Sequence, residues 1–300
     1  MRLNEIGERK LTYFITEKFG IPFDDAAFIE WDGEYIVATT DMVGRKTHFP
    51  HSATFFQMGW YAMAVNMSDL AAKGAEPFAY LIAISMPAEL EEENYRELMR
   101  GMEECTKKYG GRIVGGDTKE ADDIIIAVTA LGKVKAGREM RRLGARAGDA
   151  VYVTGSIGKG GAALLDEDTE KLLMIEPRIK EGRILSLSGV ITSCMDLSDG
   201  LASSLHQLAF INKVGFRIYE DALPVDYIAR KHKNWLELAL YYGGDYELLF
   251  TASQNIKDIE RRIDAKRIGE VIEERKVILV KDGKEYEIEN RGYEHFVGNK

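Results

Sequence analysis

An α+β chain in two domains is the fold class this sequence predicts, and three observations carry that reading. The 300 residues are 45% apolar with only six prolines, long for one core and sufficient for two. Short β-type runs alternate with stretches of helical apolar spacing along the whole length. Residues 133–149 are rich in Gly, Arg and Lys and hold almost no apolar periodicity, which sets a boundary between a first domain, 1–136, and a second, 137–300.

Taken in order, Leu3, Ile6, Leu11, Phe14, Ile15 and Phe19 predict one helix over 3–19, closed by Gly20 and Pro22. Asp24 and Asp25 lie in the following loop. Ala26–Trp31, the Asp32-Gly33 turn and Tyr35–Thr40 read as a hairpin that delivers Asp41 at a strand end. Residues 43–52, which include Gly44, Arg45, Lys46 and His48, read as a mobile loop. The stretch N-M-S-D-L-A-A-K-G-A-E-P, 66–77, follows an apolar run that suits a buried helix, and it carries Asp69 to the helix end, with Pro77 as the stop. A strand over Ala79–Met86, a helix over Glu89–Tyr109 with a charged outer face, a strand at Ile113-Val114 that breaks at G-G-D-T, and a strand over Ile124–Leu131 complete the first domain.

The second domain restarts with a strand, Ala150–Thr154, and the turn G-S-I-G-K-G-G, 155–161. A helix over 178–187 and a strand over Ile191–Met195 lead into Asp196-Leu197-Ser198-Asp199-Gly200 and a helix over Leu201–Phe210. Then come a strand at Phe216–Tyr219, helices at Tyr227–His232 and Trp235–Tyr242, and a strand at Tyr246–Thr251 after Gly243-Gly244-Asp245. A helix over Ile256–Ile263, strands over Arg267–Ile272 and Val277–Lys281, and R-G-Y-E-H-F end the pattern.

Composition excludes several classes. The net charge is −9, with no basic cluster of the kind that grips a nucleic-acid backbone. Cys105 and Cys194 have no paired spacing, so neither a disulfide scaffold nor a zinc site is expected, and both read as core residues. No N-terminal stretch resembles a signal peptide, and no apolar run approaches the roughly 20 residues of a membrane span. The expectation is a cytoplasmic protein without a membrane or nucleic-acid partner.

Asp25, Asp41, Asp69, Asp117 and Asp196 each fall at the end of a predicted element among Gly, Ser or Thr. One alone reads as a cap or turn residue; convergence on one cleft accounts for all five together. Carboxylates with Thr and Ser hydroxyls suit Mg²⁺ and suit Zn²⁺ poorly. Several Mg²⁺ ions among carboxylates are suited to holding a triphosphate and neutralising a transferring phosphoryl group. Neither G-x-x-x-x-G-K-[ST] nor an H-R-D and D-F-G set occurs. The turn at 155–161 follows a strand and could cradle a phosphate through its N–H groups, but its spacing does not match the dinucleotide fingerprint and a plain strand-to-helix turn is the preferred reading. Arg138, Arg141 and Arg142 could meet phosphate oxygens, and a solvated charge run explains Arg138 and Arg141 as well. His48 is a surface or a functional residue on position alone.

These stretches resemble, in order and in register, the motifs of thiamine-monophosphate kinases: D-D-A-A, T-T-D-M-V with T-H-F, N-M-S-D-L-A-A-K-G-A-E-P, V-G-G-D-T, M-D-L-S-D-G-L, G-G-D-Y-E-L-L-F and G-Y-E-H-F, from Asp24 to Phe296. The resemblance implies a two-domain synthetase-like fold whose N-terminal sheet pairs across a homodimer, with a C-terminal α/β sandwich domain. It implies ATP-dependent, Mg²⁺-dependent phosphorylation of thiamine monophosphate to thiamine diphosphate by direct in-line transfer, with no residue acting as a covalent catalyst. Carried across by motif, Asp25, Thr39, Thr40, Asp41, Asp69, Asp117, Asp196 and Asp199 fall on metal positions. Gly116, Asp117, Arg142 and Ser198 fall on ATP contacts, and His48 and Tyr293 on substrate contacts. One departure stands out: Gly244 occupies the place of a substrate-contacting glutamate. The alternatives are another ATP-using small-molecule synthetase of the same superfamily, or a regulatory nucleotide-binding protein. Clustered carboxylates repel one another and are costly to keep without cations, which counts against the second.

Overall fold

A computed structural model describes residues 2–253 and 256–296, and the chain divides into two compact units. One comprises Met1–Asp25, Arg141–Ala162 and Val190–Lys300; the other comprises Ala26–Met140 and Ala163–Gly189. Two segments therefore belong to the unit that sequence order alone would not assign them.

The chain opens with α1 (Leu3–Ile6) and α2 (Glu8–Phe19), two helices where the apolar spacing predicts one, because Gly7 turns to φ +83° between them. Next come β1 (Ala27–Trp31), β2 (Glu34–Gly44), the one-turn α3 (Arg45–His48), α4 (Phe55–Ala72), β3 (Glu76–Met86), α5 (Glu92–Tyr109), β4 (Ile113–Glu120) and β5 (Ile125–Lys135). Their strands form a five-stranded sheet ordered β1-β2-β5-β3-β4. Then follow β6 (Ala150–Thr154), α6 (Lys159–Leu165), α7 (Thr169–Leu173), α8 (Ile179–Ser188), β7 (Ile191–Asp196), α9 (Leu201–Asn212), β8 (Gly215–Tyr219), α10 (Trp235–Tyr241), β9 (Leu248–Ala252), α11 (Lys257–Ile263), β10 (Ala265–Ile272), β11 (Val277–Lys281) and β12 (Lys284–Glu287). Short 3₁₀ turns at Glu220–Ala222 and Ala229–Lys231 stand before α10, the second where a helix over Tyr227–His232 was expected. The second sheet has seven strands, ordered β12-β11-β8-β10-β6-β9-β7. No helix among the described residues is long and apolar enough to cross a membrane.

The five-stranded sheet is organised around α4. Thr54 caps this helix reciprocally with Gln57, each side chain accepting the other's backbone N–H at 3.2 and 3.0 Å. Most of α4 is buried, between β2 and β5 on one side and α5 and α8 on the other. Two glycines permit the crossing with α5: a Cβ on Gly59 or on Gly101 would stand 2.0 Å from the Leu98 or Phe56 carbonyl oxygen of the opposite helix. The helix ends at Gly74, whose N–H donates to Ala71 O while Ala75 N–H donates to Leu70 O, and not at Pro77. Pro77 lies inside β3, at the register shift between Pro77 and Ala79 where a missing N–H is tolerated.

In the other unit, α9 packs against β8 and β11, and Met195, Leu197, Leu201, Leu205, Phe216, Ile218 and Leu249 share one buried core. That core fixes the ends of β7 and α9, and so the turn between them.

Two further expectations are corrected. Asp41 does not end a strand: β2 continues to Gly44, because its antiparallel ladder with β5 runs unbroken to the pair Gly44 and Ile125. Nor does the strand at Ile113 break at G-G-D-T, because Gly115 to Thr118 pair in parallel with Leu81 to Ile84 of β3.

Candidate functional site

The candidate residues fall into two groups, one in each unit. In the unit of the five-stranded sheet, Thr39 and Asp41 are two apart on β2, and so share a face. Asn66 and Asp69 are three apart on α4, and so share a helix face. The two pairs meet: Thr39 Oγ1 donates to Asp69 Oδ2 at 2.5 Å, and the Asp41 N–H donates to Asn66 Oδ1 at 3.0 Å. Thr40 points to the other face, where Thr129 Oγ1 donates to its hydroxyl at 3.2 Å. Asp117 pairs in register with Ala83, Ala127 and Met42, which puts it on that exposed face too. Its Oδ1 accepts the Thr118 N–H at 3.0 Å, and its Oδ2 lies 3.7 Å from Lys119 Nζ. The sheet therefore separates Thr40 and Asp117 from Thr39, Asp41 and Asp69.

Gly116 has a steric reason to be glycine, since a Cβ there would lie 1.7 Å from the Ile82 carbonyl oxygen. His48 ends α3, where its Nδ1 accepts the Gly44 N–H at 3.3 Å and lies 2.7 Å from Thr47 Oγ1.

In the other unit, Asp25 and Asp196 each offer a carboxylate oxygen within 4.8 Å of the other. Arg142 binds Asp25 from the side and feels the charge of Asp196. Its Nε donates to Asp25 Oδ1 at 2.7 Å, its Nη2 bonds the same oxygen, and its Nη1 donates to Gln207 Oε1 at 3.0 Å. The Arg142 N–H donates to Asp24 Oδ2 at 3.2 Å. Burial by itself would lower the Arg142 pKa, but the charges of Asp25, Asp24 and Asp196 outweigh it and hold the guanidinium ionised. The side chain expected at ATP is thus engaged by carboxylates, as their counter-ion. Asp199 lies three residues beyond Asp196. Burial raises its carboxyl to about 6, against the lowering pull of Arg9. Ser198 shapes the same turn, its carbonyl accepting the Gly244 N–H at 2.8 Å. Tyr293 is tied there as well, its N–H donating to Asp199 O at 3.2 Å.

Sequence reasoning missed Asn66, Asp24 and Gln207. Asn66 lies inside a quoted motif one turn before Asp69, so helical spacing alone could have found it. Gln207 has no local signal.

Both groups are built of hard carboxylate and hydroxyl oxygens, a set that fits Mg²⁺ and fits Zn²⁺ poorly. The turn at 155–161 is held by carboxylates: Asp245 accepts the Gly158 and Gly160 N–H groups at 2.7 and 2.9 Å, and Lys159 Nζ meets Glu247 at 2.5 Å. The Gly158 and Gly160 donors are therefore already used by the protein, as in a plain strand-to-helix turn.

Gly244 adopts φ +90°, a conformation that side-chain-bearing residues rarely take. With 3.5 Å to the Gly160 Cα, space does not forbid a Cβ there. Conformation therefore favours glycine over the family glutamate at this position.

Asp245 gives the chain a pH signature. Burial raises its carboxyl from 3.8 to about 7, although the two glycine N–H groups pull it down. Between those values the folded state binds more protons than the unfolded one, so stability falls as pH rises through this window and levels off above it. The slope contributed is up to about 1.4 kcal/mol per pH unit. Thermal midpoints followed from about pH 5 to about pH 8, the upper part of the window and the level region above it, should show a falling limb in the parent that flattens in Asp245→Asn. Parallel curves would rule out the assignment.

Residues 23–134 match the model of the AIR synthase related protein, N-terminal domain, and residues 146–282 that of the C-terminal domain. The chain is 36% identical over 274 residues to the thiamine-monophosphate kinase of Methanospirillum hungatei, across 91% of this chain and 92% of that one. It is 35% identical over 308 residues to the thiamine-monophosphate kinase of Pyrococcus abyssi, across 99% and 97%. Of solved structures, AaThiL complexed with AMPPCP and TMP is similar at a TM-score of 0.89 and 31% identity, over 98% of this chain and 99% of that one. The thiamine monophosphate kinase from Aquifex aeolicus is similar at 0.82 and 28%, over 95% and 99%.

Proposed function

This chain belongs to the thiamine-monophosphate kinases, within the AIR synthase related proteins, and we propose that it moves the γ-phosphoryl group of ATP directly onto the phosphate of thiamine monophosphate. The observation that carries the reading is the likeness, along nearly the whole chain, to a structure complexed with AMPPCP and TMP. The carboxylates described above stand on the motifs of that family.

Asp25, Asp196 and Asp199, together with Thr39, Asp41 and Asp69, are the residues that would hold Mg²⁺; Thr40 and Asp117 are assigned to the metal set by their motifs alone. Bound there, Mg²⁺ supplies charge neutralisation between a tetraanionic nucleotide and an anionic acceptor, which otherwise repel. Gly116, Asp117, Arg142 and Ser198 are assigned to the nucleotide by their motifs, and His48 and Tyr293 to the substrate. Arg142 also holds Asp25 in place through its Nε and Nη2. The Thr39–Asp69 and Asp41–Asn66 bonds fix β2 against α4, so that the carboxylates do not reorganise when phosphate arrives. Direct transfer then needs only alignment of two bound phosphates, and no side-chain nucleophile.

We assign the active form as a homodimer joined through the five-stranded sheet. Its exposed face carries Ile29, Trp31, Met42, Leu81 and Ile125, with Trp31 68% exposed, an apolar surface that a lone subunit would leave in water. The reaction is placed in the cytoplasm, as the sequence reading expects. The test of the function is to supply γ-labelled ATP, Mg²⁺ and thiamine monophosphate to the purified protein and to find the label in thiamine diphosphate.

A further inference from the structure

The two ends of the described chain meet around Tyr293. At the first turn of α2, the Arg9 N–H donates to Glu294 Oε1 at 3.2 Å, and Arg9 Nη2 donates to the Tyr293 carbonyl at 3.2 Å. Arg9 Nη1 reaches Asn290 Oδ1 at 3.5 Å, and Arg9 Nε lies 3.9 Å from Glu294 Oε2. Glu8 accepts the His295 N–H at 3.0 Å. On its other side the same strap is pinned to the turn after β7, through Tyr293 N–H to Asp199 O at 3.2 Å. Gly292 is wedged between the two: a Cβ there would lie 2.6 Å from Asp199 O, 2.7 Å from Ser203 Cβ and 3.3 Å from Arg9 Nη2. The Tyr293 ring packs edge-on against His295 at 4.9 Å between centroids.

We infer that Arg9 and Glu8 are positioning residues for the substrate: they clasp residues 290–295 so that the Tyr293 ring is held beside the Asp199 turn. Neither residue belongs to the motifs that carry the family resemblance, and none of the side chains of α2 is fully buried, so the helix is held in part through this clasp and in part through the Tyr13–Phe210 ring contact. The inference rests on the proposed contact between Tyr293 and thiamine monophosphate. Without the clasp, the strap keeps its bond to Asp199 O and gains freedom, so the loss falls on binding of the acceptor and spares ATP and the chemical step.

The test is steady-state kinetics with both substrates varied, on Arg9→Ala, Glu8→Gln and Tyr293→Ala. Arg9→Ala is expected to raise KM for thiamine monophosphate about fivefold to tenfold, with kcat and KM for ATP within about twofold of the parent. Glu8→Gln, which keeps the shape and weakens one bond, should raise it about twofold. In a Tyr293→Ala background, Arg9→Ala should add nothing, because both act through one ring. A tenfold effect of Tyr293→Ala with none from Arg9→Ala or Glu8→Gln would overturn the clasp and leave the substrate reading standing. No effect of Tyr293→Ala would overturn the substrate reading itself. Equal losses in kcat and in both KM values would mean a merely structural role, and would also overturn the clasp.

Discussion

Asp69→Asn is expected to lower kcat on the order of 10³-fold while the protein stays folded. The side chain sits in the last turn of α4 and accepts from Thr39 Oγ1 at 2.5 Å. Asparagine has nearly the same volume and keeps an oxygen acceptor for that hydroxyl, so the docking of α4 on β2 survives. The negative charge does not, and a divalent cation held among phosphates depends on it. The loss should show as low turnover at saturating ATP and thiamine monophosphate, with the Mg²⁺ needed for half-maximal rate raised. Circular dichroism and the thermal midpoint should stay near the parent's. Full activity in this variant would remove Asp69 from the metal set.

Arg142→Gln is expected to destabilise the protein by about 3–5 kcal/mol, the usual result of leaving buried charge without its partner. The guanidinium touches Asp25 through two nitrogens and Gln207 through the third, and its backbone N–H holds Asp24. Removing it leaves Asp25 and Asp196, with oxygens within 4.8 Å, to repel one another. A divalent cation can take over that role, so Mg²⁺ should raise the thermal midpoint of the variant far more than that of the parent. Urea unfolding with and without Mg²⁺ measures both quantities. A loss under about 1 kcal/mol, or equal Mg²⁺ shifts, would mean that Arg142 is not the counter-ion.

The acidic motifs were legible in the sequence because carboxylates among small and apolar residues are expensive to bury and so announce themselves. The order of strands and helices in the first half was legible from its apolar periods. What failed were readings that treat local signals as final. Pro77 looks locally like a helix stop, but a register shift in β3 tolerates it, and Gly74 closes the helix. Gly115 and Gly116 look like a break, but parallel pairing with β3 extends the strand through them. Thr39-Thr40-Asp41 looks like a strand end, whereas the partner β5 is long enough to keep the ladder going. Nothing in the linear order reveals that Ala163–Gly189 belongs with Ala26–Met140, or that α7 and β12 exist. Contacts between distant positions were equally hidden: Arg9 with Tyr293, and Arg142 with Asp25, meet only in the fold.

Direct transfer is tested most sharply by following the γ-phosphoryl group itself. Purified protein is incubated with γ-labelled ATP and Mg²⁺, first alone and then with thiamine monophosphate, and both the denatured chain and the separated small molecules are counted. The chain should stay unlabelled throughout, because two bound phosphates aligned for direct transfer need no side-chain nucleophile. Label should appear in thiamine diphosphate in proportion to the ADP formed, and chelation of the metal should stop it. Label held stably on His48 or on an aspartate, or ADP formed without labelled thiamine diphosphate, would contradict direct transfer to thiamine monophosphate.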